Sequence, residues 1–165
     1  MKSWISFIIP VLIFIPIAIV QVTILPLIAI NFILPDLILI LVVYYALKFG
    51  QIYGMIYGFL FGFLFDLLTG GLIGSSMFSK TIAGFIAGYF LKDVSDRKFS
   101  YKFNFILIVL LCASIDSFCY NIISSSEIKL NVISIFFERS LFPGIYTAVI
   151  SSLLLLSNLF LRKDE

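Results

Sequence analysis

The sequence predicts an all-α polytopic membrane protein, a compact bundle of six transmembrane helices with both the N and C termini cytoplasmic. Three observations predict it. The 165 residues are 62% hydrophobic and only 12% charged, with a mean hydropathy of +1.18, whereas soluble domains run near 45–50% apolar and about 25% charged. A water-soluble fold of this size would lack the polar residues to cover its surface, and a disordered chain would be far more polar. Six apolar segments follow one another with short connections between them. Finally, the basic residues sort to one side. With six spans, Lys2, Lys48, Lys92, Arg97, Lys98, Lys102, Arg162 and Lys163 face one compartment and Lys129 alone faces the other, which by the bias of basic residues makes the first side cytoplasmic. A net charge of +2 with no long basic run excludes a nucleic-acid binder.

A membrane helix needs about 20 mostly apolar residues. The first segment, residues 4–27, follows Lys2 but is too long for a signal peptide and is followed by no small-residue cleavage site. The second, residues 36–49, is short. The third and fourth, residues 50–69 and 72–91, are separated by a tight glycine turn. The fifth covers residues 102–124 and the sixth residues 133–161, with Pro143–Gly144 expected to kink it. The longest polar connection, residues 92–102, is too small to carry an active site, so residues 1–165 are expected to form a single six-helix transmembrane domain.

Six ionisable residues fall in or at the ends of these spans: Asp36, Asp66, Lys80, Asp116, Glu138 and Arg139. Ionisable groups are costly in hydrocarbon, so each is a candidate functional residue. The topology gathers all six in the outer half and suggests one polar cluster beneath the outer surface. Asp36, just after Pro35, also stands where a helix N-cap belongs. The fifth segment lines up Ala113, Asp116, Ser117, Tyr120 and Ser124 as a stripe turned toward the bundle.

In the third segment Gly50, Gly54, Gly58, Gly62, Asp66 and Gly70 recur every four residues, and Lys80, Gly84 and Gly88 repeat the spacing in the fourth. Such rows drift slowly around a helix and let backbones approach closely. Close packing is therefore expected along Gly54, Gly58, Gly62, Gly84 and Gly88. Counted from the turn, Asp66 and Lys80 lie at depths of about 6 and 9 Å, which predicts an ion pair between them, with Asp116 the competing partner for Lys80.

No catalytic residues and no cofactor or metal ligands are expected. Histidine is absent, and Cys112 and Cys119 are seven residues apart, about 10 Å along a helix and too far for a disulfide within the chain. Ser79-Lys80-Thr81 lacks the glycine spacing of a phosphate-binding loop.

Certain stretches resemble the rod shape-determining protein MreD family. They are Leu34-Pro35-Asp36-Leu37-Ile38-Leu39-Ile40-Leu41-Val42-Val43-Tyr44-Tyr45-Ala46-Leu47, then Gly54, Gly58-Phe59-Leu60, Gly62, Asp66-Leu67-Leu68 and Gly70. Gly74 and Lys80-Thr81-Ile82-Ala83-Gly84-Phe85 fit the next segment, and Arg139, Pro143 and Tyr146 fit the last one loosely. Residues 30–91 carry the resemblance; the remainder agrees in length and span count. It implies a non-catalytic scaffold in the bacterial inner membrane that belongs to the cell-elongation machinery and supports peptidoglycan synthesis. The partners it implies are MreC and, through MreC, the MreB filament, a RodA-type glycosyltransferase and a class B penicillin-binding protein, besides membrane lipid. Two other functions remain open to the residues. One is the substrate-binding membrane subunit of an energy-coupling-factor vitamin transporter, another six-span bundle. The other is an enzyme acting on lipid-linked substrates through Asp66 and Asp116.

Overall fold

The computed structural model describes residues 2–29, 33–91, 101–124 and 137–156. Among these, the regular elements are helices. They are α1 (Lys2–Thr23), α2 (Leu37–Phe49), α3 (Gln51–Thr69), α4 (Ser75–Tyr89), α5 (Tyr101–Ser124) and α6 (Phe142–Leu156). The polar connection at residues 92–102, apart from the start of α5, and Lys129 lie outside the described residues.

Several ends differ from the expected segments, and each has a local cause. The first helix stops at Thr23 instead of running on to residue 27, and a 3-10 turn, Leu25–Ile28, follows. Pro26 stands inside that turn and disfavours helical geometry in the residue before it. Pro10 and Pro16, by contrast, lie within α1. In the last segment the expected kink is a change of helix type: one π-turn, Phe137–Leu141, precedes α6. Pro143 follows directly on the π-turn, and the Arg139 carbonyl four residues before it, which a proline cannot satisfy, accepts the Asn121 side-chain amide instead.

Helix lengths also depart from a simple picture of six equal spans. Two helices, Gln51–Thr69 and Phe103–Ser124 within α5, are long and apolar enough to cross a membrane by themselves. Helix α2 has 13 residues, about 20 Å, against a hydrocarbon core of about 30 Å.

The position of α2 explains its composition. Every side chain from Ile38 to Val43 is buried, so α2 is enclosed on all sides. A helix that is apolar all round belongs in an interior. On one flank Ile38, Leu41, Val42 and Tyr45 pack with Phe14 and Ala18 of α1 and Tyr57 and Phe61 of α3. On the other, Leu39, Ile40, Val43 and Ala46 pack with Ala83 and Ala87 of α4 and Val109 and Cys112 of α5. The two clusters make one core threaded by α2.

Helices α3 and α4 form an antiparallel hairpin whose backbones touch. A Cβ placed on Gly54 would lie 2.4 Å from the carbonyl oxygen of Gly84, and one on Gly84 would lie 2.2 Å from that of Gly54. Farther along, Gly58 opposes the Lys80 carbonyl, Gly62 opposes Ser76 and Met77, and Gly88 opposes Gln51. The hairpin closes through Gly70, which ends α3 at φ 63°, a left-handed geometry that glycine adopts without steric cost. A comparable approach joins α5 and α6, where a Cβ on Gly144 would meet the Ser114 hydroxyl at 2.4 Å.

A buried ion node beneath a polar cavity

The residues that surround Lys80 come from five helices. Asp36 is the N-cap of α2, and its Oδ1 accepts the Leu39 N–H at 2.9 Å. The same oxygen accepts the Gln21 side-chain amide of α1 at 3.1 Å. The Gln21 carbonyl oxygen in turn accepts the Ile38 N–H at 3.0 Å. The Asp36 N–H donates to the Thr147 hydroxyl of α6 at 3.1 Å, and that hydroxyl donates to the Pro143 carbonyl at 2.8 Å. One residue therefore caps α2 and ties it to α1 and α6.

Asp36 Oδ2 pairs with the Lys80 ammonium. Lys80 Nζ also reaches Asp116 Oδ2 of α5 at 3.2 Å, and the ring of Phe65 lies 5.9 Å from it. Lys80 is 2% exposed and Asp116 5%, so these charges are withdrawn from solvent and must find their partners within the protein. Two carboxylates share one ammonium. Asp116 Oδ1 is buried, and the Ser79 hydroxyl, which donates to the Ser76 carbonyl at 3.3 Å, stands within reach of the Asp116 carboxylate.

The expected Asp66–Lys80 pair does not form. Asp66 is buried, and it accepts the N–H groups of Gly74 at 2.8 Å, Ser76 at 3.2 Å and Met77 at 3.3 Å. These are first-turn donors of α4 that have no partner within the helix. Gly74, at the N-cap, has no side chain with which to cap them, so Asp66 does it from the neighbouring helix. The counting of depths failed because it placed both residues relative to a common turn plane. The hairpin instead sets Lys80 level with Gly58 and Ser76 level with Gly62. Asp66 is eight residues beyond Gly58, about 12 Å along α3, and lies beneath the start of α4.

The six ionisable residues thus divide. Asp36, Lys80 and Asp116 converge, Asp66 caps α4, and Arg139 stands exposed at the π-turn. The Glu138 side chain lies outside the described residues. A cavity of about 780 Å³ adjoins the node; Asp36, Lys80, Asp116 and Arg139 line it together with polar Gln21, Ser117, Tyr120 and Asn121. Asn121 donates to the Arg139 carbonyl at 3.0 Å, which fixes the π-turn to α5. Gln21 and Thr147 were not singled out in the sequence. The signal for Gln21 was present, since it is the one amide in the apolar run of α1; Thr147 has no comparable signal.

What this arrangement offers chemically, among the described residues, is a polar pocket walled by apolar helices, with two carboxylates and two cations on its lining. A family model for the rod shape-determining protein MreD matches residues 1–163. No curated protein and no solved structure matches the chain. Since the match covers essentially the whole length, and the Pro35–Asp36 cap and glycine hairpin named above fall inside it, the chain belongs to the MreD family of rod shape-determining membrane proteins.

Proposed function

We propose that this protein is a non-catalytic scaffold of the inner membrane that links MreC to the peptidoglycan synthases of cell elongation. The family match over residues 1–163 carries the reading. The physical features agree with it. The bundle's strongest polar interactions hold its own helices together, while the outward surface is apolar: Leu12, Ile19, Ile52, Phe59, Phe103 and Leu153 are all more than half exposed. An apolar exterior of this kind suits lipid and the helices of partner proteins. Six spans with both termini cytoplasmic follow from the basic residues. The same match favours the scaffold over a vitamin-transporter subunit.

Depletion of the protein in a rod-shaped host is expected to round the cells and to release MreC from the synthase complex. An external-only reporter fused after Glu165 should stay silent. Rod shape and intact MreC–synthase capture without the protein would refute the scaffold, and a strongly active reporter would refute the topology.

A further inference from the structure

The cavity beside the ion node occupies depth that α2 does not reach. Helix α2 is 13 residues long, so about 10 Å of a hydrocarbon core about 30 Å thick lies beyond its first turn. Residues 33–36 run through that depth as non-helical backbone, and all four line the cavity. Irregular backbone at membrane depth is tolerated only where it is buried in protein or lines water. The rest of the lining, among it Gln21 near the end of α1, Phe65 and Ser76 on either side of the hairpin turn and Asn121 near the end of α5, lies at the same end of the bundle. From Ser124 at the end of α5 to Asp116 is eight residues, about 12 Å, so α5 gives a depth comparable to that left by α2. The volume of about 780 Å³ is many times the roughly 30 Å³ that one water takes in the liquid. Asp36 and Asp116 balance Lys80 and Arg139 on the lining, so no net charge selects an ion. The side chains of Gln21, Ser117 and Asn121 beside them offer both donors and acceptors, which hydrocarbon would leave unpaired at a cost and water would satisfy. The Asp36 side chain is 20% exposed at the cavity floor, and Lys80 behind it is closed off.

We infer that this cavity is a water-filled vestibule that enters the membrane from the outer face, reaches about 10 Å into the bundle and ends on the Asp36–Lys80 pair. Water there hydrates the Asp36 carboxylate and the non-helical backbone of residues 33–36. It brings the outer solution to the polar centre that ties α1, α2, α4, α5 and α6 together. The inference rests on the six-span reading with cytoplasmic termini and not on the scaffold role.

The first test is hydroxyl-radical footprinting of the wild-type full chain in phospholipid nanodiscs. The radicals form in water, so rings covered by lipid are spared. Phe63 and Phe65 of α3 differ in depth by only about 3 Å. Phe63 is 38% exposed on the bundle's outside, and Phe65 is half-buried and lines the cavity. Phe65 should be oxidised several-fold faster than Phe63 despite its smaller exposed surface. Equal rates, or a faster Phe63, overturn the inference. The second test adds a charged methanethiosulfonate reagent to spheroplasts carrying Ser117→Cys or Ile122→Cys in a Cys119→Ala parent, whose remaining Cys112 is buried. Ile122 is nearer the end of α5 than Ser117 but is 53% exposed on the outside. A thiol in lipid stays protonated, and each unit by which its pKa rises removes about tenfold of the reactive thiolate. Ser117→Cys should therefore label at least about tenfold faster than Ile122→Cys, and comparable or reversed rates overturn the inference. Labelling of Ser117→Cys in inverted vesicles alone overturns the outer opening, and the topology with it. If Ser117→Cys does not fold, the wild-type footprint decides. MreC capture, and so the scaffold reading, is measured separately and is moved by none of these results.

Discussion

Gly58→Ala is a demanding test of the α3–α4 seam because it adds only one carbon. Built on the native backbone, that Cβ would lie 2.3 Å from the Lys80 carbonyl oxygen, 2.7 Å from its carbon and 3.0 Å from Thr81 Cα. All three are backbone atoms, so no side-chain rotation relieves the clash. Ordinary contact begins at 3.4 Å, and α4 must recede by about 1.1 Å, the difference between 3.4 and 2.3 Å. A gap of that order forfeits a quarter to a half of the dispersion well for the atoms facing it, and overpacking of this kind costs about 1–3 kcal/mol. Alanine returns about 1 kcal/mol over glycine through helix propensity, so the net loss is about 0–2 kcal/mol for alanine and larger for Gly58→Leu, whose bulk adds to the clash. For a chain of this length that lowers the melting temperature by up to about 8 °C for alanine and by more for leucine, measurable by fluorescence-detected size exclusion after heating in detergent. Gly71→Ala is the control, because its Cβ would meet only the Thr69 hydroxyl, at 3.7 Å. A Gly58→Leu protein as stable as wild type, with Gly71→Ala unchanged, would show that the helices do not touch through their backbones.

The node and the hairpin cap give two further expectations. Lys80→Met leaves two carboxylates buried together without their cation, and removing one partner of a buried pair costs about 3–5 kcal/mol. Thermal melts should show most of that loss recovered when Asp36→Asn and Asp116→Asn are added, and no recovery would place the cost outside the node. Asp66→Ala removes the acceptor for three N–H groups of α4 and should cost about 2 kcal/mol, with hydrogen exchange accelerated at Ser76 and Met77 but not in α5. Uniform acceleration through both helices would argue against a local cap.

The division of labour between the two carboxylates shows how a chain's one-dimensional pattern can mislead. The four-residue glycine row and its answering row in the fourth segment made the α3–α4 contact legible, because a small-residue face has few uses other than close approach. The helical class was equally legible from apolar runs between short connections. The site was legible only as a set of unpaired charges: that Asp36, Lys80 and Asp116 were costly to bury could be read from each one alone. Which charge meets which depends on the axial offset of α3 against α4, and the Gly54–Gly84 and Gly58–Lys80 contacts settle it. That offset carries Lys80 past Asp66, toward the N-cap of α2 and the middle of α5. The burial of α2 was equally a matter of tertiary structure. Its twelve apolar residues, all but Lys48, read the same whether lipid or protein surrounds them, since hydrocarbon and a packed core present a leucine with nearly the same environment. Only the placement of α1, α3, α4 and α5 around it makes it the centre of the bundle.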